Sequence, residues 1–99
     1  MGVYAVKKEI GPDTVLQRKQ DVLFNEVDGE VVMLSIENGE YYGMDKVAAR
    51  IWNLLERPQS LKNLISALKH SYDVSDEKCI NDTVSFLIKL NERKLITIQ

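Results

Sequence analysis

Two β-branched apolar runs and a two-tyrosine run separated by turn signals, then three amphipathic stretches each opening on an Asp or Ser cap, predict a small α+β domain of winged-helix type. The order is a three-stranded antiparallel meander followed by three helices. Ninety-nine residues suffice for one domain with one modest core. Residues 1–20 are poorly patterned and read as an N-terminal segment, within which TVLQRKQ is a candidate short strand after the break at Gly11-Pro12. Residues 21–99 form the domain itself.

VLFNEV (22–27) and EVVMLSI (30–36) flank Asp28-Gly29, a hairpin signal because both residue types tolerate positive φ. A second turn, Glu37-Asn38-Gly39, leads into EYYGM (40–44), which becomes an edge strand. Asp45 is placed to cap a helix over 46–56, with Val47, Ala48, Ile51, Trp52 and Leu55 as its apolar stripe. Pro58 closes the connection, and Ser60 caps a second helix that turns Leu61, Leu64, Ile65, Leu68 and Tyr72 inward. Asp73-Val74 then links to Ser75, the cap of a third helix over 76–92, whose first turn carries Asp76 and Glu77 where the helix dipole favours acids. LITIQ (95–99) reads as a terminal strand.

An apolar content of 44% with 28% charged residues is that of a globular chain rather than a disordered one. No apolar run approaches the roughly 18 to 20 residues that span a bilayer. The N-terminus has only a short apolar start before its lysines, the reverse of a secretory signal, and Val6 stands where a myristoylation motif after Gly2 wants Ser or Thr. A lone cysteine, Cys79, excludes an internal disulfide and fits a reducing cytoplasm, the expected location. Charge is uneven: residues 21–45 hold seven acids and no base, which opposes nucleic acid along that surface.

The third helix has more apolar surface than one core contact needs. With Ile80 as origin, Val84, Leu87, Ile88, Thr83, Leu90, Cys79 and Phe86 cover an arc of about 200°, against the roughly 100° of an ordinary buried stripe. Two readings stand: a central helix packed on two sides, or a helix whose Cys79, Thr83, Phe86 and Leu90 line a groove. Chemistry is sparse. His70 has no second histidine and Cys79 no CxxC partner, so no metal site is expected, and no phosphate-binding or nucleophile-elbow motif is present. No catalytic residue and no cofactor are predicted.

The run EVVMLSIENGEYYGMDKVAARIW, then YDV, then NDTVSFLIKLNERKLI resembles the PqqD family, the leader-recognition elements of ribosomally made and modified peptides. The resemblance covers residues 20–97 and is closest to the stand-alone version of lasso-peptide pathways. It implies a winged helix-turn-helix domain that binds a precursor's leader by adding it to an edge strand, here Glu40, Tyr41, Tyr42, Gly43 and Met44. It implies a groove wall of Cys79, Asp82, Thr83, Phe86 and Leu90. The implied partners are the leader peptide, a leader peptidase and a cyclase, with no enzymatic activity in the chain. Met44-Asp45 stands where the family more often has Leu-Asn.

Edge-strand pairing is physically reasonable but insufficient. Ordering each leader residue costs about 1–2 kcal/mol, whereas a ladder hydrogen bond returns about 0.5–1.5 kcal/mol. Large side chains must therefore be buried as well, and the surplus arc of the third helix is where they would go. Asp82 is a candidate partner for a basic leader residue. Two other classes compete: a winged-helix DNA-binding regulator using Lys78, Lys89, Arg93 and Lys94, and a homodimeric adaptor pairing the same edge with its own copy. Either a monomer or a weak homodimer fits the sequence. Alternation puts Tyr41 and Gly43 on one face of the edge strand and Tyr42 and Met44 on the other.

Overall fold

The structure, a computed structural model, describes residues 10–20, 22–35 and 39–99. The expectations for the first nine residues and for the Glu37-Asn38 half of the second turn lie outside the described residues. The order of elements is β1 (Val15–Arg18), β2 (Leu23–Val27), β3 (Glu30–Ser35), β4 (Glu40–Met44), α1 (Lys46–Leu54), β5 (Gln59–Ser60), α2 (Leu61–Ser71), α3 (Asp76–Glu92) and β6 (Ile96–Ile98). This is the α+β fold expected, a meander followed by three helices.

The meander has strand order β2-β3-β4, antiparallel throughout. Asp28 and Gly29 both have positive φ, 54° and 81°, and close the first hairpin with Val27 opposite Glu30. Its register places Phe24, Met33 and Tyr42 in one row on the inner face, with Val31 and Met44 in the next inner row. The outer face carries the alternate rows, Leu23-Leu34-Tyr41 and Asn25-Val32-Gly43.

A second small sheet, β5-β1-β6, forms the wing. Leu16 of β1 is fully buried in the same core as Trp52, Leu55, Leu64 and Leu87, so the strand after the Gly11-Pro12 break packs with the helices. Arg18 joins wing to meander. Its guanidinium lies 4.7 Å from the Phe24 ring centroid and 5.3 Å from that of Trp52, and its Nη1 donates to the Trp52 carbonyl at 3.2 Å. Phe24 meets Trp52 edge-on, centroids 5.8 Å apart.

All three caps form as expected. Asp45 Oδ1 accepts from the Ala48 amide at 2.9 Å, and the Ser60 and Ser75 hydroxyls accept from the amides of Asn63 and Lys78, each at 3.2 Å. Two stripes need correction. The buried arc of α1 is centred on Trp52 and includes Ala49, so Val47 falls beyond its edge and is 43% exposed. On α3 the buried residues are Cys79, Thr83, Leu87 and Leu90. Leu87, at the middle of the expected arc, is fully buried, whereas Ile80, included in that arc, is 40% exposed.

Candidate functional site

The meander leaves β4 with one neighbour, β3, and among the described residues no strand pairs with its other side. An edge of this kind presents free amides and carbonyls, a template for strand addition. Beside it runs α3. The Arg93 guanidinium at the C-terminal end of α3 lies 4.8 Å from the centroid of the Tyr42 ring. At the other end, Asp45, the residue that ends β4, shares a groove with Cys79 and Asp82 of α3. Strand and helix therefore lie alongside one another in opposite sense.

That groove encloses about 400 Å³. Asp45, Val47 and Ala48 form one wall, Leu68, Tyr72 and Val74 the second, and Lys78, Cys79, Asp82, Thr83 and Phe86 of α3 the third. The lining is chiefly apolar, with its charges at the rim. Lys78 Nζ bonds Asp82 Oδ2 at 2.8 Å, both side chains about two-thirds exposed. The Asp82 carboxylate accepts this hydrogen bond and, through it and its charge, holds the Lys78 ammonium pKa above the usual lysine value. A pocket of this size and polarity takes one or two large apolar side chains.

The structure brings Cys79, Asp82, Thr83 and Phe86 together as one wall, with Cys79 and Thr83 nearly buried at its base and Phe86 half-buried. Leu90, grouped with them from the sequence, lies in the core at 3% exposure and takes no part in the lining. Its place is fixed by the turn that ends α3, described below. Asp82 is already paired with Lys78, so a leader cation would have to share or displace that partner. Glu40 to Met44 form β4 as a unit, Met44 buried, Tyr42 half-buried on the inner face and Tyr41 75% exposed on the outer.

Sequence reasoning missed the other two walls. Val47 gave a signal, an apolar residue on the first turn of α1, but it was assigned to the core. Tyr72 was counted among the inward residues of the second helix, and Val74 stood in the YDV link without a role. Leu68 and Ala48 look like ordinary core positions in any single-helix pattern. Among the described residues, no group of His, Cys, Asp and Glu is arranged to hold a metal ion, and no helix is long and apolar enough to cross a membrane.

No curated protein matches the chain. Among solved structures, TbiB1 in complex with the TbiA(beta) leader peptide superposes with a TM-score of 0.74 and 31% identity, covering 81% of this chain and 93% of that one. A lasso peptide synthetase B1 complexed with its leader peptide superposes with a TM-score of 0.71 at 21% identity, covering 83% and 96%, a likeness of fold. The family described as coenzyme PQQ synthesis protein D (PqqD) matches residues 30–96, from the start of β3 into β6. The chain belongs to the PqqD family.

Proposed function

We propose that this chain is a leader-recognition protein of a lasso-peptide pathway. It binds the leader of a ribosomal precursor as a fourth strand on β4, buries leader side chains in the groove of α1, α2 and α3, and presents the precursor to processing enzymes. The observation that carries the reading is the juxtaposition of a strand edge, unpaired among the described residues, with a 400 Å³ apolar groove at its end. Backbone pairing sets the register, and the groove supplies the burial that pairing lacks. The relatives of known structure were solved with leader peptides bound, which supports the same occupant. The chain works in the cytoplasm by binding, without chemistry of its own.

Presentation needs a second surface. Antiparallel sheets usually turn polar residues to solvent, yet the outer face of this meander exposes Leu23, Val32 and Tyr41, with a shallow hollow among them and Leu34. This face adjoins the edge that takes the leader, so an enzyme seated there touches domain and leader together. We assign it to the leader peptidase or cyclase.

The test is titration calorimetry with a synthetic leader of the precursor encoded beside this chain, combined with amide hydrogen exchange. Binding with new protection of β4 amides is expected. A folded chain that binds no leader, or binds it with β4 exchange unchanged, sinks the reading.

A further inference from the structure

Nothing in the fold requires glycine at position 43 of β4. Its φ lies outside the positive range in which Gly29 and Gly39 sit, so its backbone conformation is open to any residue. A Cβ added to it meets nothing within 4 Å, so there is no crowding to relieve. Glycine is nonetheless a poor strand former, and inside a strand it often marks close approach by another chain.

What glycine leaves is a depression of about 260 Å³. Gly43 and its cross-strand neighbour Val32 form the outer-face floor, Val32 being 49% exposed. Glu30 and Asp45 stand at the sides, Asp45 with Oδ1 already accepting from the Ala48 amide, and the lining holds no base. A strand paired to β4 sets one residue directly opposite Gly43, on the same face, its Cβ about 4.5–5.5 Å away. With no Cβ to pass, that side chain is free to lie across the strand toward Val32. An aliphatic stem of three or four methylenes covers the roughly 4.8 Å strand spacing and brings a terminal charge up to the two carboxylates.

We infer that the depression at Gly43 is a second leader subsite, which takes an outward-facing lysine or arginine of the added strand. Its stem lies over Gly43 and Val32, and its cationic head lies between Glu30 and Asp45. The inference rests on the leader-binding reading and deepens it: the groove reads the inner face of the leader strand, and this subsite reads its outer face. Residues 21–45 carry acids only, which favours a cation, and the neighbouring base, Lys46, lies with its stem over Gly29.

The test is Gly43→Val in the full chain, with the same synthetic leader as probe. The variant is expected to melt at a higher temperature, because valine strengthens the strand, while leader affinity falls at least tenfold. Glu30→Gln is expected to lower affinity three- to tenfold and to flatten its dependence on salt. Gly43→Val binding within twofold of the unaltered chain overturns the subsite and leaves leader recognition standing. An equal tenfold loss with a leader whose residue facing Gly43 is alanine also overturns it, since the block would then act on the backbone. A folded, unaltered chain that ignores the leader removes both proposals.

Discussion

The Leu95 amide donates to the Leu90 carbonyl at 2.9 Å, a bond that reaches back over the end of α3. Lys94, at φ 60°, donates to Asn91 at 3.0 Å within the same turn. This pair of bonds is the Schellman arrangement, with lysine in the left-handed position that glycine usually fills. The hydrophobic contact that accompanies it joins the third residue from the helix end to the second residue beyond, here Leu90 and Leu95, both buried. The turn thus commits Leu90 to the core and starts β6.

Phe86 and Leu90 therefore separate on substitution, although the sequence groups them. Leu90→Ala leaves a cavity in the core and is expected to cost about 2–5 kcal/mol of stability by urea denaturation. Phe86→Ala removes a half-buried groove wall. It is expected to weaken leader binding by about 1–3 kcal/mol with a smaller loss of stability. Equal unfolding by the two variants would show that Phe86 belongs to the core and remove it from the site.

Asp45 couples strand to helix, because it ends β4 and caps α1 through Ala48. Asp45→Ala is expected to cost about 0.5–2 kcal/mol, whereas Asp45→Asn, which keeps the accepting oxygen, costs only a small part of that. Thermal denaturation of the two variants checks the order. An Asn variant as unstable as the Ala variant would mean that charge, and not the cap, holds the junction.

Most of the fold was legible because its signals are local. A positive-φ dipeptide, three cap residues and period-two or period-3.6 patterning need no tertiary information, and the meander and the three helices stand where these put them; β5, two residues held by pairing with β1, has no such signal. The groove was only one-third legible. The arc on α3 announced itself because it was too wide, but the facing walls come from α1 and the end of α2, and no pattern along one helix reveals which helices flank a hollow. Leu90 was misassigned for a related reason. Its angle on the wheel is near that of Cys79, but the burial it experiences is set by Lys94 and Leu95, beyond the helix end.

The Lys78–Asp82 pair at the groove rim fixes a pH expectation. Lys78 has its pKa raised by Asp82, so its contribution is fully present below the unfolded lysine value and is lost as pH rises through the higher folded value. Both values lie above the working range of the protein. Melting temperature across pH 6 to 9 is thus expected to be the same for Lys78→Gln as for the unaltered chain, apart from a constant offset. A difference that grows within that window would place another titrating group against Lys78.

Substitution on the outer face of the meander tests whether binding and delivery use separate surfaces. Leu23 is 55% exposed on β2, the strand farthest from the β4 edge, so its side chain supports neither the core nor a leader paired to β4. Leu23→Lys sets a charge into the apolar hollow shared with Leu34 and Tyr41. An enzyme docking there loses apolar contact and meets an uncompensated cation. Leader affinity by calorimetry is expected to stay within twofold, while leader removal by the cognate peptidase slows at least tenfold. If removal keeps its rate, the enzyme docks elsewhere. If leader affinity falls with it, the two strand edges are coupled through β3, and the face is part of the leader site itself.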